Sequence, residues 1–416
     1  MTDNQTEQLD VRIDEDAILA DLTTLVAFAS VGGSSGETAI QQWVAQRLEE
    51  LGAVVDCWDI DVAKAKQESD FPGMEVERTT ALGVVGSWGS PDPALILAGH
   101  TDVVPPGDRA AWSGDPFAMQ VRTGNAIGRG TCDMLGGVAA ILAAVRSVRD
   151  GGAGLTRGLA VHSVSAEEDG GLGAWATLRR GHRGQSCVIA EPTNGELVVA
   201  NGGALTFRLE VPGLATHGST PTRGVSAVEK LPAVLDAVRA LQTRRNEAPD
   251  DLMAHLDIAY PISVGKVAAG DWASTVPDLA VLEGRYGVRL GEDMHAAQGE
   301  FEAALAAMCD ADPWLAQHPV RITWPGGRFA SGRMPTGHEI ADQMSTAAVG
   351  AGARRPRALG APYGSDLRHY AGAGIATLQY GPGDVGLAHA ADERVPVDEL
   401  VTCARAYAQL ILARCT

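Results

Sequence analysis

The strongest constraint in this chain is a set of short apolar runs that do not alternate. LGVVG (82–86), ALILA (94–98), LAVHSV (159–164) and CVIA (187–190) are almost continuously apolar. A strand with one wet face alternates with period two. A run without alternation is buried on both faces, as in a parallel sheet covered by helices. Helical patterns lie beside these runs. ETAIQQWVAQRLEEL (37–51) gathers Ile40, Trp43, Val44, Leu48 and Leu51 on one face before Gly52, and MLGGVAAILAAVRSV (134–148) reads as a buried helix. The expectation is an α/β domain whose mostly parallel sheet is flanked by helices.

The pattern changes near residue 203. In ALTFRLEV (204–211), Leu205, Phe207, Leu209 and Val211 alternate with Thr206, Arg208 and Glu210. That period gives one core face and one wet face, as in an antiparallel sheet. A helical stretch (224–242), strand-like segments at 260–267 and 278–290, a helix at 292–308 and a strand near 319–324 follow. They predict an inserted α+β unit, an antiparallel sheet of about four strands with two helices. WPGGRFASGRMP (324–335) supplies a return linker, after which IATL (375–378) and a helix over 396–413 resume the α/β character. The expected boundaries are 1–202 and 329–416 for the two parts of the α/β domain, with 203–328 as the insert.

A chain of 416 residues is long enough for two cores. Its net charge of −19 repels phosphate backbones and anionic membrane surfaces, which argues against nucleic-acid and membrane partners. The N-terminal MTDNQTEQLDVRIDEDA lacks the cationic start and apolar stretch of a secretory signal, and no run reaches the roughly 18 apolar residues of a membrane helix. Six scattered cysteines without a CxxC pair suit a reducing compartment, so a cytoplasmic location is expected.

Residues that can carry chemistry stand where the apolar runs stop. ALILA leads into Gly99-His100-Thr101-Asp102, LAVHSVSA into Glu167-Glu168, and CVIA into Glu191; GPGDVGLAH ends at His389, and Asp133 closes GRGTCD. In open α/β sheets ligands bind outside the carboxyl ends of the strands, so these side chains are expected to share one crevice. A mixed imidazole and carboxylate set suits zinc, cobalt or manganese. His100 and Asp102 share a face in an extended segment, which lets Asp102 accept the second ring N–H of His100. The Glu167-Glu168 pair offers one ligand and one free general base.

The order and spacing of AGHTDVVPPGD, WSGDPF, GRGTCDMLGG, SAEEDGG, IAEPTN, GLATHGSTPTRGVSA, VPDLAVLEGR and YGPGDVGLAHAADERVPVDEL carry a resemblance across residues 15–413. The chain resembles the co-catalytic zinc amidohydrolases and peptidases that include acetylornithine deacetylase, succinyl-diaminopimelate desuccinylase, aminoacylase and glutamate carboxypeptidase. The resemblance implies a zinc-peptidase-like catalytic domain split by a lid that also forms a homodimer. It implies two divalent ions per chain, with zinc favoured and cobalt or manganese as alternatives. His100 and Glu191 would hold one ion, Glu168 and His389 the other, and Asp133 would bridge them. Asp102 would orient His100, Glu167 would be the general base, His217 would reach across the dimer to the oxyanion, and the Asp133–Met134 peptide would be cis.

The departures fall on the substrate side. Leu135 replaces the lysine of the DMKGG found in relatives, and Ser274 an asparagine of the lid motif. Gly287 stands where relatives place a substrate-binding arginine; Arg285 and Arg289, two residues either side on one strand face, are the candidate replacements. Ser365 in YGSD stands near a hydroxyl position used for a substrate carboxylate. The implied reaction is hydrolysis of the amide of an N-acyl amino acid or similar N-acylated amine. A dipeptidase or carboxypeptidase is the alternative, and a metal-free binding protein on the same fold a distant one. Carbamoyl-cleaving relatives carry a histidine where this chain has Glu191, which argues against that branch.

Overall fold

The computed structural model describes residues 12–416. Most of the polar N-terminal segment discussed above, up to residue 11, lies outside the described residues. The chain divides into two compact units. The first comprises the chain up to Val199 with Met334–Leu359 and His369–Thr416, and the second Ala200–Arg333 with Gly360–Arg368.

The central sheet of the first unit runs Val54–Asp59, Leu82–Trp88, Leu159–Val164, Leu95–His100, Ser186–Ile189, Ala376–Gln379 and Leu197–Asn201. Its four middle strands, 159–164, 95–100, 186–189 and 376–379, are mutually parallel. The 82–88 strand is antiparallel to both of its neighbours although its first residues are continuously buried. Its unbroken apolar run reflects the helices Ser35–Glu50 and Leu172–Arg179 packed against it, not its direction. The helix Leu135–Asp150 is buried on nearly every side, as its composition demands: it lies between the 95–100 strand and the helices Glu15–Ala27 and Val397–Cys415. Sequence patterning had not indicated the 15–27 helix or the 197–201 strand.

The second unit has an antiparallel sheet in the order Ile262–Ala269, Leu279–Val288, Gly203–Pro212 and Arg321–Thr323, with Arg328–Phe329 also pairing with 203–212. The 203–212 strand alternates strictly between buried and half-buried residues. Its inward residues join the helices Ala227–Arg245 and Met294–Ala311 in a core where Phe207 and Tyr286 pack around Phe301 at centroid distances of 4.9 and 5.0 Å. The segment expected as a plain return linker contains two two-residue strands, 328–329 and 332–333, and 360–368 clusters with this unit. Among the described residues no helix is long and apolar enough to cross a membrane.

The first turn of the 135–150 helix sits against the end of the 186–189 strand without room for a side chain. A Cβ on Gly137 would lie 2.9 Å from the Ala190 Cβ and closer still to the Ala190 carbonyl oxygen, one residue before Glu191. Backbone on both sides cannot yield cheaply. Gly137→Ala is therefore expected to lower unfolding stability by about 1–3 kcal/mol, read from urea denaturation. A midpoint equal to the parent's would show that the helix backs away freely.

Candidate metal centre

The parallel register decides which side chains meet. His100 ends its strand opposite Val164, and Ala98 pairs with Ile189 on the other side. Two residues beyond Ile189, Glu191 comes level with His100. Three and four residues beyond Val164, Glu167 and Glu168 come to the same edge. Asp133 reaches it from the turn before the 135–150 helix, where the Asp133–Met134 peptide is cis and the His100 N–H points to the Met134 sulfur at 3.2 Å. His389, with φ at 62°, arrives from the loop after the short turn Val385–Leu387.

His100 Nε2 lies 3.1 Å from Asp133 Oδ1 and 3.9 Å from Glu191 Oε1. His389 Nε2 lies 3.1 Å from Glu168 Oε2 and 3.4 Å from Asp133 Oδ2, so Asp133 stands between the two imidazoles. One donor atom from each of His100, Asp133 and Glu168 lies within 4.8 Å of the others, and the same holds for His100, Glu167 and Glu191. Asp102 differs from expectation in detail. His100 Nδ1 meets the main-chain carbonyl of Asp102 at 2.9 Å, while the carboxylate stands off at 3.7 Å. The carboxylate instead accepts the N–H groups of Glu167 and Glu168, each at 3.1 Å. One residue thus fixes the ring orientation of His100 and the backbone of both glutamates.

Four carboxylates in so small a volume repel one another, and the site's protonation shows it. Burial, then the nearby charge of Asp133, pushes Glu168 up to about 7. Hydrogen bonds to Asp133 and Glu168 raise His389 to about 11. Burial disfavours the charged form of His100, but Glu191, Asp133 and Asp102 outweigh it and hold its pKa well above the ordinary value. Asp133 is buried yet depressed, because both imidazoles donate to it. The two imidazoles, held protonated, offset part of the carboxylate charge. A donor set of two imidazoles and several carboxylates, buried and converging, fits one or more divalent cations of the zinc type.

The other expected residues lie in the second unit. His217 is exposed, with Nδ1 2.8 Å from Ser219 Oγ. Arg289 is engaged by Glu292 and Glu300. Arg285 donates to the Pro362 carbonyl at 2.7 Å and has no carboxylate partner among the described residues; burial lowers its pKa. Ser365 is buried, and its Oγ accepts the Leu367 N–H at the start of a short helix. Sequence reasoning passed over Asp169, which follows Glu168. Asp169 accepts the N–H groups of Glu75 and Val76 and an ion pair from Arg78 at 2.7 Å. It also passed over Arg129, a charge set between two glycines, and Glu393, which lies within the charged run Asp392-Glu393-Arg394.

The sequence matches Peptidase family M20/M25/M40 over residues 96–413. It is 25% identical over 439 aligned positions to an N-formyl-4-amino-5-aminomethyl-2-methylpyrimidine deformylase of Bacillus subtilis, covering 100% of this chain and 99% of that one. It is 31% identical to a succinyl-diaminopimelate desuccinylase of Stenotrophomonas maltophilia, covering 85% of this chain and 92% of that one. In fold it is similar to human carnosine dipeptidase 1, with a TM-score of 0.76 at 14% identity and 96% of each chain covered. A tripeptidase of Staphylococcus aureus gives a TM-score of 0.71 at 19% identity, covering 97% of this chain and 99% of the other. The match over more than three quarters of the chain, and the desuccinylase relative that it covers almost entirely, make this protein a member of peptidase family M20/M25/M40.

Proposed function

We propose that this chain hydrolyses the amide bond of an N-acyl amino acid or closely similar N-acylated amine, releasing a carboxylic acid and a free amine. The observation that carries the reading is the convergence of His100, Asp133, Glu167, Glu168, Glu191 and His389 at one sheet edge. Relatives aligned over most of their length are named as a deformylase and a desuccinylase, both acting on acylated amines, which favours deacylation. The peptidases enter through fold alone, and dipeptide hydrolysis is the second reading.

His100 and Glu191 would hold one divalent ion, Glu168 and His389 a second, with Asp133 shared; zinc is favoured, with cobalt or manganese as alternatives. Such a pair, when bound, supplies an acidified water and an electrophile for the carbonyl. Glu167 accepts the proton of the attacking water as the new C–O bond forms, and returns it to the nitrogen as the C–N bond breaks. His217 donates a hydrogen bond to the oxyanion across a homodimer of lid units. In that unit the 262–269 strand is a sheet edge, with Val267 57% and Trp272 73% exposed nearby, the kind of surface a second copy would cover. Arg285, free of acidic partners among the described residues, is the better of the two arginines for a substrate carboxylate, because Arg289 is already neutralised. Ser365, whose Oγ accepts the Leu367 N–H, keeps its hydroxyl proton to donate to a substrate carboxylate. Six free cysteines and the acidic charge fit a cytoplasmic protein.

Zinc added to chelator-treated protein is expected to raise its thermal midpoint, since a ligand at 100 times its dissociation constant stabilises by about 2.7 kcal/mol; an unmoved midpoint would mean the donors hold no cation. Glu167→Gln should retain metal while kcat falls by roughly 10²–10⁴-fold, read by metal analysis beside steady-state kinetics. Near-normal turnover would remove Glu167 from the proton-transfer role. A panel of N-formyl, N-acetyl, N-succinyl and long-acyl amino acids beside dipeptides tests the substrate class. Turnover of dipeptides alone would replace the deacylase reading with the peptidase one.

A further inference from the structure

Behind the ligand residues the first unit holds a buried ion pair whose spare hydrogen bonds all run to ligand-bearing loops. Arg129 and Glu393 are each 1% exposed and meet at 2.5 Å, Nη1 to Oε2. The other oxygen of Glu393 accepts the main-chain N–H groups of Cys132 and Asp133, each at 3.0 Å. Nη2 of Arg129 donates to the carbonyls of Pro105 and His389, both at 3.3 Å. Trp112 covers the guanidinium, with its ring centroid 5.1 Å away. The backbone ties the same loops: Gly128 N–H donates to the Glu393 carbonyl at 2.9 Å, and Asn125–Ile127 pairs antiparallel with Arg394–Pro396.

A buried ion pair is by itself weak evidence for stability, because desolvating two charges costs about what their attraction returns, and apolar residues of similar volume often serve as well. What distinguishes this pair is where its remaining valences go. They fall on the amide of Asp133, the carbonyl of His389 and the loop that continues from His100. The rigid fork of a guanidinium holds a carboxylate on one arm and two carbonyls on the other, a spread of fixed directions that the compact ammonium of a lysine does not reproduce. The pair thus bonds to the backbone of both Asp133 and His389, whose side chains are 3.4 Å apart.

We propose that Arg129 and Glu393 are positioning residues that set Asp133 and His389 against each other and thereby tune the metal affinity and turnover of the site. The inference rests on the metal-centre reading of the previous subsection. Its test uses the full-length protein and the variants Glu393→Gln, Arg129→Lys and the double variant Arg129→Met/Glu393→Met. Zinc and cobalt dissociation constants are measured by chelator competition, together with the visible spectrum of the cobalt form, kcat, KM and thermal midpoint. The single variants are expected to bind metal 10–100-fold more weakly, with an altered cobalt spectrum, a fall in kcat of similar size and KM little changed. The double variant removes the uncompensated guanidinium that Glu393→Gln leaves buried, so its thermal midpoint should rise above that of Glu393→Gln while its metal affinity stays low. Wild-type affinity and spectrum in Glu393→Gln and in the double variant would overturn the proposal and leave the pair a purely structural one. If the double variant does not fold, Glu393→Gln decides by the same measurements. Parent protein that takes up neither metal would overturn the metal-centre reading instead.

Discussion

Mutual repulsion among carboxylates is the constraint around which the first unit is organised. Asp133, Glu167, Glu168 and Glu191 crowd one sheet edge with two imidazoles, and the imidazoles become strongly basic in response. A fold tolerates such a cluster only where positive charge is supplied and the surrounding backbone cannot relax away. The first condition points to divalent cations. The second is met by fixed amides: those of Glu167 and Glu168 are held by Asp102, and those of Cys132 and Asp133 by Glu393.

Parallel pairing makes this crowding inexpensive to build. Adjacent parallel strands bring their carboxyl ends to one edge, so residues far apart in sequence arrive together without long loops. His100 is the last residue of its strand, and Glu191, Glu167 and Glu168 lie only two to four residues beyond theirs. Asp133 and His389 come from outside the sheet, and the small sheet that pairs 125–127 with 394–396 joins their two motifs. The polar residues behind the centre, Asp102, Arg129 and Glu393, are buried more completely than several of the ligand candidates they support. Rigid support and adaptable ligands are thereby divided between two layers.

Much of the architecture was legible because burial leaves a period in the sequence. The unalternating runs at 95–98, 159–164 and 187–189 became the middle of the parallel sheet, and the alternation at 204–211 became an antiparallel strand. The same signal was blind to direction, as the antiparallel 82–88 strand shows: burial on both faces depends on what covers a strand, not on how it pairs. The 197–201 strand lies one residue before the 203–212 strand, so no turn signal set it apart. At the site, residue type and placement after apolar runs identified His100, Asp102, Asp133, Glu167, Glu168, Glu191 and His389 as a set. The carbonyl partner of His100 was illegible, because a main-chain acceptor leaves no mark on side-chain pattern.

The sequence alone determined the fold class and the chemical kinds gathered at the strand ends, because both follow from local periodicity and residue type. Tertiary structure alone decided which of those side chains are neighbours, that Glu292 and Glu300 engage Arg289 while Arg285 donates to the Pro362 carbonyl, and that Arg129 and Glu393 meet behind the centre. These are matters of register and of packing between segments more than 200 residues apart, and the hydrogen bonds that enforce them run largely to backbone atoms that are the same in every residue.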